Sequence, residues 1–318
     1  MTIDTLPGYL NHWADTLGDK VWLRDLREDG SEDYTWNEAR QQINSAAAAL
    51  EARFGSGGRM IVLSRNRPHW FMADLAIITS GNVTVSMFTT LPEATAKYIA
   101  EFTEASVIFV GESPNWEKVR SVLPESVTIV ALPGVEIDGE HLRWEDLVAE
   151  GEGKSVSHVC KPDDMMSLVF TSGTTGMPKG VIQTHSTNIV PINRFQVAFS
   201  LRQQPRYFSY LPLSHIAERQ IVEFASLITG GEVFFNEALD TILRDLQRAK
   251  PHMFFGPPRI WEQFQQAILA KFGGAEALDA ALEQDAEGIG NRRRGLASLL
   301  GRSHGLVRPG GVGQLCHC

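Results

Sequence analysis

Along most of this chain, short apolar runs bounded by turn residues alternate with stretches whose apolar positions recur at helical spacing. A chain written this way has few solutions, and the leading one is a sheet covered by helices on both faces. Strands are expected at Met60–Ser64, Ser106–Val110, Val127–Leu132, Met165–Phe170, Val181–Thr184, Tyr207–Leu211, Glu232–Phe235 and Met253–Phe255. Thr35 and Glu38 form a capping box ahead of Trp36, Ala39, Ile43, Ala46, Ala47 and Leu50, which keep helical register. Asn66 with Pro68 marks the next helix start, and Trp70 to Ile78 supply its apolar residues. Thr90 and Glu93 make a second capping box, opening a helix towards Ala105. Later helices are expected from about Thr187, over Ala217–Ile228 and Leu239–Ala249, and over Arg259–Phe272, the last one amphipathic.

With 318 residues, 43% of them hydrophobic and 21% charged, the chain has the balance of a soluble globular protein with a sizeable core. A net charge of −9 offers phosphate backbones no general attraction, so no nucleic-acid partner is expected. Three cysteines make no disulfide framework. Cys316-His317-Cys318 is a poor metal site, because three adjacent residues cannot wrap a tetrahedral ion. The N-terminus carries Asp4 and lacks a continuous apolar stretch, unlike a signal or transit peptide. No run reaches the ~18–20 apolar residues of a membrane span. The default expectation is therefore the cytoplasm, with peripheral membrane contact left open.

Glu150 to Lys154 reads as a surface connection, and composition breaks sharply after Glu287. From there the chain has 31 residues with five arginines, eight glycines and no acid. Such a stretch buries little and is expected to be an aberrant, disordered tail. The division expected is a first α/β subdomain over 1–185, a second, incomplete one over 186–287, and the tail over 288–318.

Chemistry concentrates in one place. The apolar strand Leu168-Val169-Phe170 runs directly into Thr171-Ser172-Gly173-Thr174-Thr175-Gly176-Met177-Pro178-Lys179-Gly180. Glycines let backbone N–H groups approach an anion without Cβ obstruction. Thr171, Ser172, Thr174 and Thr175 add four hydroxyls, and Lys179 adds a point charge suited to phosphate. Strand, hydroxyl-rich turn and lysine together read as a triphosphate cradle. A P-loop would need Gly-Lys-Ser/Thr opening a helix, and here Lys179 sits between Pro178 and Gly180. The bland alternative is a hairpin whose polar residues serve only the turn.

The stretch Thr171–Gly180, with Val181 and Thr184-His185, resembles the signature loop of the adenylate-forming superfamily, over roughly residues 5–285. Tyr210-Leu211-Pro212-Leu213-Ser214-His215-Ile216-Ala217-Glu218-Arg219 and Gly256-Pro257-Pro258-Arg259-Ile260-Trp261-Glu262 are similar to segments of its long-chain fatty acyl-CoA synthetases. The resemblance implies a layered α/β/α N-terminal domain. It implies ATP, magnesium, a fatty acid and coenzyme A as reactants, giving acyl-adenylate and then acyl-CoA. Carried over residue by residue, Thr171, Ser172, Gly173, Thr174, Thr175 and Gly176 would contact phosphates. Lys179 would balance charge on leaving pyrophosphate, and Thr171 would offer magnesium one oxygen. His215 would face the acyl carboxylate and adenylate, or be an imidazole satisfied by backbone at a helix start. Glu218 and Arg219 are expected either to pair on a helix surface or to serve the substrate tunnel. Trp261 is expected in the core. His185 is expected to order the hairpin, and His69, His141 and His252 to carry no special role.

The family's downstream adenine, ribose and magnesium-carboxylate segments and its small C-terminal domain have no counterpart in this sequence. The expectation is therefore an incomplete enzyme with weak nucleotide affinity and negligible turnover. Two alternatives stay open: a ligase for another carboxylic acid, and a non-catalytic fragment that binds nucleotide or a partner.

Overall fold

A computed structural model describes residues 3–171, 178–198 and 202–288. Helix α1 (Leu6–Leu17) begins at Thr5, whose hydroxyl accepts the Gly8 N–H. A hairpin of β1 (Val21–Arg27) and β2 (Gly30–Thr35) leads into α2 (Trp36–Phe54). There the expected capping box is present: Thr35 Oγ1 accepts the Glu38 N–H, and Glu38 returns the bond to the Thr35 N–H at 2.8 Å. Successive βα units follow: β3 (Arg59–Leu63), α3 (Pro68–Thr79), β4 (Val83–Met87), α4 (Glu93–Thr103), β5 (Val107–Val110) and α5 (Trp116–Arg120). Next come β6 (Thr128–Ala131), the two-residue β7 (Leu142–Arg143) and α6 (Trp144–Gly151). The strand β8 (Met165–Thr171), its antiparallel neighbour β9 (Lys179–Thr184) and α7 (His185–Ala198) lead to β10 (Arg206–Ser209). Three helical pieces join β10 to β11 (Glu232–Phe235): α8 (Ile216–Glu218), a π-helical turn over Arg219–Phe224, and α9 (Ala225–Thr229).

Two sheets result. The larger has the order β7-β6-β5-β3-β4-β8-β9, parallel except at β9. The smaller has the order β10-β11-β1-β2 and draws strands from either side of residue 185. Helix α3 is apolar around nearly its whole circumference and is buried from Pro68 to Ile78, as a helix without a polar face must be. It touches β3 and β4 of the larger sheet and β1 of the smaller. Aromatic rings fill this region: Trp22 stacks on Trp36 at 4.4 Å, and Phe71 meets Phe235 at 5.1 Å. A methyl group on Gly151 would sit 1.8 Å from the Ser45 carbonyl oxygen, so glycine lets α6 close on the alanine-rich middle of α2.

Several expectations change. Thr90 caps nothing: Pro92 is the N-cap residue of α4 and makes no side-chain cap bond. Proline disfavours helical backbone in the residue before it, so Leu91 cannot open the helix from Thr90. Asn66 is not a cap either, since Arg67 precedes Pro68 at the start of α3. Met253–Phe255 is irregular rather than a strand. The Ala217–Ile228 helix is interrupted by the π turn.

The chain divides into two compact units, 1–242 and 243–318. Described elements of the second are α10 (Ile242–Ala249, across the division), α11 (Pro258–Phe272) and α12 (Ala275–Gly288), of which α12 was not expected. The rest of the tail, 289–318, lies outside the described residues. No helix among the described residues is long and apolar enough to cross a membrane.

Candidate functional site

The larger sheet brings together the two ends of the loop expected to hold phosphate. Thr171 closes β8, Lys179 opens β9, and the two are register partners in the antiparallel pair. Opposed side chains in such a pair stand about 5 Å apart, which puts the hydroxyl and the ammonium at one loop mouth. Both residues are exposed. Ser172, Gly173, Thr174, Thr175 and Gly176 lie outside the described residues. The loop leaves the carboxyl end of a parallel strand, where open α/β sheets hold their ligands.

His215 arrives from the connection after β10. It is the N-cap of α8, and its Nδ1 accepts the Ala217 N–H at 3.1 Å. That bond places the proton of the neutral ring on Nε2, leaving an N–H donor on an exposed imidazole. The imidazole is thus satisfied by backbone at a helix start on its Nδ1 side. Ser86 on β4 donates to the Ser214 carbonyl at 3.4 Å, and Ser86 pairs in register with Val169, two residues before Thr171. The His215 turn is therefore tethered beside the strand that carries the loop.

Glu218 and Arg219 do not pair with each other, and neither lies on the surface. The Glu218 carboxylate accepts the Tyr210 N–H at 2.9 Å and also meets the Leu211 N–H and the Ser209 hydroxyl. Burial pushes its pKa up to about 8 despite those donors. Arg219 donates to Asp74 of α3 at 2.5 Å, to Glu223 at 3.0 Å and to Ser167 of β8 at 2.5 Å. Its guanidinium lies 4.8 Å from the Phe224 ring centre and 5.2 Å from that of Trp70. Glu223 is held well above the usual carboxylate range by burial and by the Asp74 carboxylate, against the pull of Arg219.

Sequence reasoning missed Asn66. Its amide donates to Ser209 Oγ at 2.8 Å and to the Leu211 carbonyl at 2.6 Å, and its oxygen accepts the Leu213 N–H at 3.1 Å. The buried Asp74 was findable, since an acid inside a wholly apolar helix demands a buried partner. His185 does something other than order the hairpin: its Nδ1 accepts the Leu6 N–H at 3.2 Å, joining α7 to the first turn of α1. His69 is buried edge-on to Tyr34 and Trp144. Trp261 is not in a core; it is 48% exposed, and its Nε1 donates to the Gly256 carbonyl.

Another depression, at the carboxyl ends of β3, β5 and β6, is lined by Asp25, Arg67, His69 and Glu112 among others. Its charges are spent on one another, with Arg67 bridging Asp25 at 2.8 Å and Glu112 at 3.2 Å. No cluster of three or more His, Cys, Asp or Glu among the described residues suits a metal. A magnesium ion at the loop would take the Thr171 hydroxyl and otherwise phosphate oxygens and water, a set that ion accepts.

The fold is shared with the adenylation domain of a carboxylate reductase from Mycobacterium chelonae, at TM-score 0.73 and 18% identity over 85% of this chain and 48% of that one. Acetoacetyl-CoA synthetase from Streptomyces lividans gives 0.68 and 23%, over 77% of this chain and 41% of that one. In sequence, fatty acyl-CoA synthetase A of Dictyostelium discoideum is 30% identical over 77% of this chain and 39% of its own length. A long-chain-fatty-acid–CoA ligase of Gallus gallus is 28% identical over 72% of this chain and 32% of its own. The chain spans well under half the length of these two curated relatives. The family described as AMP-binding enzyme matches residues 10–299, reaching into the acid-free tail, and the chain belongs to that family.

Proposed function

We propose that this chain carries the phosphate-binding half of an AMP-forming acyl-CoA ligase site whose acid is a long-chain fatty acid. In that reaction a carboxylate oxygen attacks the α-phosphorus of ATP. The bond to the β-bridging oxygen breaks, and pyrophosphate leaves with the electron pair. Coenzyme A then displaces AMP from the acyl-adenylate to form the thioester. Magnesium, when bound, would neutralise phosphate charge. Lys179 meets the charge that grows on the leaving pyrophosphate, a stabilisation that works by position alone. The Nε2–H of His215 donates to an oxygen of the carboxylate or the α-phosphate. Thr171 supplies a hydroxyl at the loop mouth, and Ser172 to Gly176 supply the remaining phosphate donors.

The observation that carries this reading is the pairing of Thr171 with Lys179 at the end of β8, beside a histidine turn tethered to neighbouring β4. Long-chain acids are preferred over other carboxylates because the named sequence relatives are fatty acyl-CoA ligases.

Purified protein, magnesium-ATP and palmitate, with Lys179→Ala beside it, provide the test. Magnesium-ATP binding that Lys179→Ala abolishes is expected, and pyrophosphate release dependent on palmitate would extend it to chemistry. Binding without release supports the narrower reading of a nucleotide-binding segment. No binding at all overturns both.

A further inference from the structure

We propose that Asn66 and Glu218, with Arg219 behind them, are positioning residues that hold the His215 turn in register with the Thr171 end of β8. The inference rests on the proposed function and assigns work to side chains that touch no substrate. Four residues of the turn, Ser209 to Leu211 and Leu213, are gripped from both sides. Asn66, leaving β3 of the larger sheet, holds Ser209, Leu211 and Leu213 through three hydrogen bonds. Glu218 takes the Tyr210 and Leu211 N–H groups and the Ser209 hydroxyl. Ser209 thus links them, accepting from Asn66 and meeting Glu218.

The next residue completes the frame. Arg219 reaches Ser167, a β8 residue four positions before Thr171, and Ser167 in turn donates to the Thr84 carbonyl of β4 at 3.0 Å. Consecutive side chains therefore fasten one turn to two sheets, Glu218 to the end of β10 and Arg219 to β8. Apart from half-buried Leu211 these residues are buried, so most of the bonds are shielded from competing water. His215, two residues past Leu213, follows wherever the turn is set.

Magnesium-ATP is the probe, calorimetry reads its affinity for the full chain, and ¹⁵N-histidine resonances read the His215 ring. In Glu218→Ala and Asn66→Ala the affinity should fall at least about fivefold, with the ATP-induced His215 shift lost. Glu218→Gln keeps an oxygen for the Tyr210 N–H and should recover most of both readouts. Leu147→Ala, in the core of α6 beside the far edge strand β7, is the control for general instability. It should lower the melting temperature yet leave affinity and the His215 shift intact. If the two alanine variants behave like the unmutated chain, or if Leu147→Ala loses affinity as they do, the proposal is overturned. An unmutated chain that binds ATP without any His215 response sinks this inference alone. A chain that binds no ATP sinks the proposed function as well.

Discussion

Arg219 donates to the Asp74 carboxylate at 2.5 Å, and both side chains are fully excluded from solvent. The two residues come from α3 and the π turn, 145 positions apart in the chain. Glu223 takes the same guanidinium at 3.0 Å, and burial with the nearby Asp74 pushes its pKa up against the pull of Arg219.

Arg219→Met should destabilise the first unit by about 3–5 kcal/mol, because it strands buried carboxyl groups without their cation. The triple change Asp74→Asn, Arg219→Met, Glu223→Gln should recover a substantial part of the loss. Urea unfolding checks both. Equal stability of the single variant and the unmutated chain would mean that the arginine's charge is immaterial.

Glu218 predicts a pH dependence of definite sign. Its pKa rises from 4.5 unfolded to about 8 folded, so the native state holds the proton more tightly. Its contribution is complete below about 4.5 and is lost as pH rises through about 8. Melting temperature should therefore fall between about pH 6.5 and 8, above the range in which His69 and His185 add their own slope, and Glu218→Gln should flatten that fall. A window unchanged by the substitution would assign the effect to another group.

The opposite slope is expected on the acid side. Burial holds His69 and His185 down to about 4, below the usual 6.5. Stability from the neutral rings is present above about 6.5 and is lost as pH falls through about 4. His185→Phe removes both the titration and the acceptor for the Leu6 N–H, so it should lose about 1–3 kcal/mol at neutral pH while softening the acid transition. Thermal melts between pH 4 and 7 read both effects at once.

Two capping boxes that look alike in sequence should separate by experiment. Thr35→Ala removes a real cap and should cost about 0.5–2 kcal/mol. Thr90→Ala removes none and should change little. Similar losses in the two variants would contradict the helix start at Pro92.

What the sequence revealed was local. Helical spacing after Thr35 and the apolar runs at β3, β5 and β8 depend on near neighbours, and these elements stand where periodicity put them. The strands on either side of the glycine- and hydroxyl-rich loop were equally legible, with β8 ending at Thr171 and β9 running to Thr184. Distant partners were not. Asn66 before Pro68 reads as a helix cap until Ser209 arrives from 143 residues away. Glu218 and Arg219, adjacent and opposite in charge, suggest a surface pair until α3 brings Asp74. The smaller sheet joins β1 to β11, a parallel pairing that no single window contains.

The π turn from Arg219 to Phe224 gives a last consequence. Each residue of an α-helix advances the face by about 100°, so a helix with one residue too many shifts everything beyond it. Deleting Gln220 would let the backbone relax into an ordinary α-helix, locally more regular than before. The same deletion would swing Arg219 away from Asp74, or Phe224 and Leu227 out of the core, because both cannot keep their bearings. This stretch should therefore tolerate substitution at Gln220 far better than any change in length.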